Sequence, residues 1–549
     1  MIDSPDVEQT TAETTSDTAR HGIARAAAVL ALGNVISRVL GLVREVVKSN
    51  LFGASDLLGA YTVAALVPMT LFNLITGGEM VSSSLVPVFS DYAAKERRSE
   101  LWGVASTFLS LATAVLLLIV LLIEAFTPQV AWLAGARNFE DASLVPITID
   151  LMRLATPGVL FLSIASILTG VLYALKRFVL PAFTAAIFNG TIVIVALLRP
   201  ERIDSLAWGL LLGAFLQIVL QFPALRDGRF RLQFNWKHPA VRRILILYAP
   251  IVVGLVVNQI AIWISYNLAI TTGDNSVTYM SYATTLYQFP LGLVVTALSI
   301  ATLPTLSQLA TAFYLAQKTD GETAVQRMYE FKKTLADGLR LNVALILPAT
   351  AGLFALAGPI IALLLQHGQF TPEDTEITTR VLRTYLFGLP FAAVDQMLVF
   401  ASYARKDTWR PAVAGVISIV VYTITAVVLL QPLGLLSLMV ADAVKHMVHT
   451  AIMLWLLQRH LGGLVGHGVT RVAVKSSLAA LLTGLVAFGA AQLAAPFLSG
   501  SGFLSKLALV LVGGLAGLAA YIGMVFWLNI TDAKSVPRLL FRKKGEGLN

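Results

Sequence analysis

The chain has 549 residues, 57% of them apolar and 13% charged, with no cysteine and a formal net charge of +9. Water-soluble domains average about 45–50% apolar and roughly 25% charged residues, so a mean hydropathy of +0.77 excludes a soluble enzyme and a disordered chain. The missing cysteine removes disulfide scaffolds, thiol nucleophiles and Cys-ligated metal centres, and no cofactor is expected.

In chain order, residues 1–22 come first, with Asp3, Asp6, Glu8, Glu13 and Asp17 set among threonines. They predict a disordered cytoplasmic tail, and no cleavable signal peptide is legible there. Fourteen apolar stretches follow, each long enough at about 20 residues to cross a bilayer as a helix. They lie near 24–47, 57–89, 101–124, 146–174, 179–198, 205–225, 243–271, 277–311, 339–365, 377–404, 411–430, 434–457, 471–495 and 503–529. Pro68, Gly77, Gly78 and Pro87 interrupt the second, and Pro290, Gly292 and Pro304 the eighth. Broken helices at membrane depth belong where they line a protein-enclosed cavity. The runs are too long for barrel strands. The predicted fold class is an all-α polytopic membrane protein with 14 transmembrane helices.

The basic residues carry the topology. With both termini cytoplasmic, the inner segments hold 29 Lys and Arg, the outer connections five and the spans six. Basic residues are retained on the cytoplasmic side, so the net charge reports orientation in a membrane and not nucleic-acid binding. Arg226, Arg229, Arg231, Lys237, Arg242 and Arg243 gather in one inner loop, and a basic cluster from Lys534 to Lys544 follows the last span.

The chain echoes itself. Tyr173-Ala-Leu-Lys-Arg-Phe-Val-Leu-Pro-Ala182 and Tyr403-Ala-Arg-Lys-Asp-Thr-Trp-Arg-Pro-Ala412 share Tyr, Ala, Lys, Pro and Ala at one spacing. Pro87-Val-Phe-Ser-Asp-Tyr-Ala93 matches Pro304-Thr-Leu-Ser-Gln-Leu-Ala310 in the same way. Both echoes are offset by six spans, an even number, so the halves share one orientation about an axis along the membrane normal. The expected organisation is a tail at 1–22, an N-terminal lobe at 23–225 (spans 1–6) and a basic cytoplasmic linker at 226–242. A C-terminal lobe at 243–458 (spans 7–12), an extra helix pair at 471–529 and a basic cytoplasmic tail at 530–549 complete it.

Ser37-Arg-Val-Leu-Gly-Leu-Val-Arg-Glu45, Leu51-Phe-Gly-Ala54, Leu85-Val-Pro-Val-Phe89, Arg177-Phe with Pro181-Ala-Phe, and Gln366-His-Gly-Gln-Phe-Thr371 stand along the chain. Together they resemble the MurJ/MviN lipid II flippase family of the multidrug/oligosaccharidyl-lipid/polysaccharide exporter superfamily. The resemblance implies two six-helix lobes plus an extra pair that forms a groove for a lipid tail. It also implies alternating access that moves a polyprenyl-diphosphate-linked peptidoglycan precursor from the inner to the outer leaflet. The chain departs from the family pattern at Gly59 and Thr285, and after Pro68, where Phe72-Asn73 and Gly77-Gly78-Glu79 stand. Of the cavity cations the family implies, Arg38 and Arg44 remain.

Guanidinium binds phosphate oxygens in pairs, and a charge at membrane depth is costly unless it faces a pathway or a partner. Arg38 and Arg44 are therefore candidates for an anionic headgroup, against an ion pair or snorkelling to the outer face. Glu45 is expected to orient Arg44. Glu79, in the broken second span, is either a replacement carboxylate or a helix-end residue open to the cavity. Asn73, Asn258 and Gln288 are candidate cavity-lining substrate contacts, with Gln259, against interhelical hydrogen bonding. Asp395, Gln396 and Asp442 with Lys445 suggest a polar C-terminal lobe, where an Asp–Lys pair closing on itself competes with a coupling-ion site. His446 and His449 share a helix face without a third metal ligand. Gly513-x-x-x-Gly517 permits close packing of the last helix.

No Walker A motif, nucleophile elbow or His-Glu-x-x-His occurs in the sequence. The sequence thus predicts a flippase for undecaprenyl-diphosphate-linked peptidoglycan precursor, a monomer with no nucleic-acid partner. It would work among membrane lipids and couple to Na⁺ or H⁺ or to the membrane potential. A flippase for another polyprenyl-linked oligosaccharide, or a cation-coupled small-molecule antiporter of the same superfamily, remains the alternative; a membrane glycosyltransferase lacks the outer acidic loop it would need.

Overall fold

The computed structural model describes residues 6–498, 500 and 502–530, and among them every regular element is helical. The main helical elements are α1 (Asp6–Phe52), α2 (Asp56–Ser90), α3 (Lys95–Ala125), α4 (Leu144–Ala174), α5 (Thr184–Leu198), α6 (Asp204–Leu225) and α7 (Pro239–Ile270). They continue as α8 (Ser276–Ala316), α9 (Gly321–Ala355), the bent pair α10 (Pro372–Leu386 and Leu389–Ala404), α11 (Trp409–Leu433), α12 (Leu436–Leu461), α13 (Val469–Leu498) and α14 (Phe503–Trp527). Eleven helices among the described residues are long and apolar enough to cross a membrane, twelve when the α10 pair, bent by 44°, counts as one span. Of the fourteen expected, α5 has only 15 residues, and the first is the later part of α1.

Helix α1 begins at Asp6, inside the segment expected to be unfolded. The expected basic tail falls almost wholly outside the described residues.

The chain forms two compact units that divide at Tyr266–Asn267, so most of α7 belongs with the first. In the first unit α1 packs on α5, α5 on α6, and α4 on α2, α3 and α6. Its largest core gathers Leu85, Phe89, Leu101, Trp102, Leu168, Leu172 and Tyr248. In the second unit α9 packs on α8 and α13, α12 on α10 and α11, and α13 on α14. Leu306, Phe331, Leu335, Met397 and Met453 form its largest core.

The internal repeat extends to backbone detail. Spans α2 and α8 each carry a π-helical turn, at Val81–Leu85 and Leu291–Val295. Lys176 and Lys406, the shared lysines of the longer echo, both take positive φ, 58° and 60°. Arg177 N–H then returns to Leu172 O at 2.8 Å, and Asp407 N–H to Ser402 O at 3.0 Å. The break in α2 at Thr76 is satisfied locally: Thr76 Oγ1 donates to Ser163 Oγ at 2.7 Å, and Ser166 Oγ to Thr76 O. Neighbouring hydroxyls of this kind let a span break inside protein. Span α8 stays helical through Pro290 and Pro304, bent from regularity only by its π turn.

The linker lies along α3 as an extended strap. Arg231 N–H donates to Ser106 Oγ and Gln233 N–H to Ser110 Oγ, both at 3.1 Å. One helical turn from Ser106 to Ser110 rises about 6 Å, close to the two-residue step of an extended chain. Arg177 anchors the strap's start, donating to Asp227 Oδ1 at 2.5 Å and Oδ2 at 3.1 Å. That hydrogen bond, with Arg98 nearby, holds the Asp227 carboxyl below its ordinary value. Its stabilisation is present at neutral pH and lost as pH falls through the lowered value. Because both partners are largely exposed, Asp227→Ala should cost under about 1 kcal/mol while speeding tryptic cleavage at Arg229 and Arg231. An unchanged cleavage rate would show that the clamp does not hold the strap.

The small-residue motif of α14 seats it on α13. A Cβ on Gly513 would lie 3.0 Å from Ala487 O, and one on Gly517 3.0 Å from Ala487 Cβ. Gly517→Leu should therefore destabilise the protein by about 1–3 kcal/mol, as overpacking does. Thermal unfolding in nanodiscs reads it, and an unshifted transition would contradict this packing.

Candidate substrate-binding site

A run of the sequence Arg-Glu-x-x-Lys on α1 puts Glu45 one residue from Arg44 and one turn from Lys48. Residues three apart on a helix are neighbours. Glu45 is only 3% exposed, and both of its oxygens are used. Arg44 donates from Nε (3.0 Å) and a terminal nitrogen (2.7 Å) to Oε1, and Lys48 Nζ donates to Oε2 at 2.8 Å. The other terminal nitrogen of Arg44 reaches Asn189 Oδ1 on α5 at 2.9 Å. Asn189 Nδ2 returns to Ser37 O at 3.3 Å, closing α1 onto α5.

Two cations and one anion leave this cluster one net positive charge. Lys48 and Glu45 are buried, while the Arg44 side chain stays 30% exposed. The three Arg44 contacts use three of the five N–H donors that a guanidinium carries. The arrangement can therefore hold Arg44 in place and present it to phosphate oxygens.

Glu45, expected to orient Arg44, bonds it through Oε1. Lys48, counted from sequence with the outer connections, instead lies inside α1 against Glu45. Asn189 was missed; its only signal is an amide side chain in an apolar span. Arg38 is half-buried on α1, and Asn73, Glu79 and Asn258 are exposed in the first unit. The inward residue of the Asn258-Gln259 pair is Gln259, which is buried and accepts from Thr70 Oγ1 at 3.2 Å. Gln288 is exposed in the second unit.

The second unit has its own polar cluster. Asp442 and Lys445 pair at 2.5 Å on α12, His446 Nε2 stands 3.7 Å from Asp442, and His449 Nδ1 bonds Asp395 of α10. Gln396 Nε2 donates to Thr296 Oγ1 at 3.0 Å.

A family model for the lipid II flippase MurJ matches residues 48–508. The probable lipid II flippase MurJ of Bdellovibrio bacteriovorus is 28% identical over 527 residues, covering 94% of this chain and 97% of its own. That of Vibrio cholerae is 29% identical over 520 residues, covering 90% and 94%. A solved lipid II flippase MurJ in an inward closed conformation matches with a TM-score of 0.73 at 23% identity, over 91% of this chain and 99% of its own. An inward-facing multidrug resistance MATE family transporter of the MOP superfamily matches at 0.62 and 15% identity, over 79% and 96%. At these identities the two structures speak for the fold alone.

Proposed function

Since the chain belongs to the MurJ lipid II flippase family, we propose that it moves lipid II from the inner to the outer leaflet of the membrane it spans. It is a multi-pass bacterial inner-membrane protein and a transporter rather than an enzyme. The observation that carries the substrate reading is the Arg44–Glu45–Lys48–Asn189 cluster, with its surplus positive charge and part-exposed guanidinium. A diphosphate headgroup supplies the anionic oxygens that such a donor recognises.

In this reading Arg44 captures the diphosphate and Arg38, six residues earlier on α1, receives it. Asn73, Glu79, Asn258 and Gln288 supply contacts to the glycan. The prenyl tail stays in lipid while the headgroup crosses by alternating access of two lobes, 23–225 and 243–458. Fourteen spans with both termini cytoplasmic, a monomeric state and a coupling cation, Na⁺ or H⁺, belong to the same proposal. The basic linker and the excess of Lys and Arg in the expected inner segments support that orientation.

The test is reconstitution into liposomes holding fluorescent lipid II, with the outer-leaflet fraction read by an added, membrane-impermeant quencher. Protein-dependent equilibration of lipid II is the expected result. Vesicles in which lipid II stays in its starting leaflet, beside an equally loaded active control, would overturn the reading.

A further inference from the structure

The second unit carries more charge within its spans than a structural ion pair requires. Asp395 lies in the second half of α10, and Asp442, Lys445, His446 and His449 follow one another along α12. Lys445 answers Asp442 at 2.5 Å. His446 Nε2 is 3.7 Å from Asp442, beyond hydrogen-bond range, and that carboxylate needs no second cation. One negative charge, that of Asp395, is left over in a region where an uncompensated charge is costly.

The partner of Asp395 is His449, whose two ring nitrogens both face oxygen. Nδ1 bonds Asp395 Oδ1, and Nε2 points at the Pro411 carbonyl at 3.4 Å. The carboxylate and the carbonyl both only accept, so the one proton of a neutral imidazole serves the charged oxygen from Nδ1, leaving a bare Nε2 lone pair toward the Pro411 carbonyl and the charge of Asp395 uncompensated. One added proton, on Nε2, removes that clash and the surplus charge together. Both side chains retain slight exposure, 12% for His449 and 14% for Asp395, so the proton can exchange.

We propose that Asp395 and His449 form an exchangeable one-proton site through which a pH gradient acts on transport. The structure captures the loaded form. The transport half of this inference rests on the flippase reading; the proton site itself does not.

The surroundings fit this assignment. The buried Tyr287 hydroxyl of α8 makes no hydrogen bond among the described residues. Tyr385 of α10 packs on the Tyr287 ring, and Tyr422 of α11 lies under the Lys445 ammonium. The charged groups of adjoining segments are engaged elsewhere: Arg380 with Glu376, Arg383 with Phe354 O, and Arg340 with Asp337. Among the described residues, side-chain hydrogen bonds join α10 to α12 at His449 with Asp395 and at Thr450 Oγ1 with Phe391 O, 3.0 Å. Only the first is strengthened by the added proton. Loss of that proton would weaken it and loosen the second half of α10, at whose start Gly388 touches the Ala443 backbone.

The test uses the full chain in two measurements. The first titrates imidazole-¹⁵N-labelled protein in nanodiscs between about pH 5 and about pH 9, the range in which a histidine changes charge. One imidazolium signal should vanish in His449→Gln, and in Asp395→Asn it should persist with its midpoint lowered by about one unit or more, an opposite charge having been removed. Thr450→Val, which cuts the other α10–α12 bond without removing a titrating group, should leave the midpoint in place.

The second follows lipid II in proteoliposomes with the membrane potential clamped at zero. A one-proton couple shifts the leaflet ratio by up to about tenfold per unit of pH gradient. The wild type and Thr450→Val should respond to the gradient, and His449→Gln should equilibrate lipid II with no response. Absence of the His449 signal, or a midpoint indifferent to Asp395→Asn, would overturn the proton site. A titrating site in a wild type that flips lipid II without regard to the gradient would overturn the coupling. A titrating site in a wild type that moves no lipid II would support the site and overturn the flippase reading.

Discussion

Replacing Glu45 with alanine should cost the protein about 3–5 kcal/mol, the usual consequence of removing one partner from a buried ion pair. Glu45 is 3% exposed and is a counter-charge that Arg44 and Lys48 share. Without it, two cations face each other inside a membrane helix, and the Lys48 ammonium is the one with least access to water. The loss should be partly repaired by removing the second charge as well. The pair Glu45→Gln with Lys48→Met should recover most of the stability, because Arg44 keeps Asn189 and no buried like-charge contact remains. Unfolding of purified protein in nanodiscs, with both single variants and the double, forms the cycle that isolates the pair. A Glu45→Ala loss under about 1 kcal/mol would place the cluster with surface ion pairs and contradict the burial argued for it.

Arg44→Ala is expected to do the opposite: spare the fold and strip the transport. Glu45 and Lys48 still pair at 2.8 Å and neutralise each other when Arg44 is gone. The surplus positive charge disappears with the guanidinium. A hydrogen bond to a charged group contributes about 1.5–3 kcal/mol, so lipid II binding and flipping should fall roughly 10- to 100-fold at normal protein levels. Arg44→Lys restores the charge without the paired geometry and should recover only part of the rate. Flipping at the wild-type rate in Arg44→Ala vesicles would remove Arg44 from the headgroup site.

The spans were legible because lipid leaves a plain record: a helix that faces hydrocarbon must be apolar over its full length. Exposed Leu117, Leu118, Leu121 and Leu122 on α3 show that record at its simplest. The repeat was legible as Tyr, Ala, Lys, Pro and Ala, and the backbone explains it in part, since Lys176 and Lys406 take the same left-handed turn. Lys48 was misplaced because hydropathy registers a charge and not the carboxylate one turn away that admits it to a buried helix. Asn189 could not be read as a partner of Arg44, from which it is 145 residues distant. The link between Asp395 and His449 has the same character, joining two spans 54 residues apart. The strap along α3 was visible only as a cluster of positive charge. Its attachment depends on Ser106 and Ser110, whose spacing gains meaning once the extended segment lies beside them.

The most direct measurement is made in cells. A bacterium whose native lipid II flippase can be depleted is given this chain, with its membrane level checked, and both survival and outer-leaflet lipid II are scored. The account predicts growth after depletion and lipid II exposed at the outer surface, both lost with Arg44→Ala at equal protein level. Cells that lyse with lipid II held in the inner leaflet, despite well-inserted wild-type protein, would contradict it.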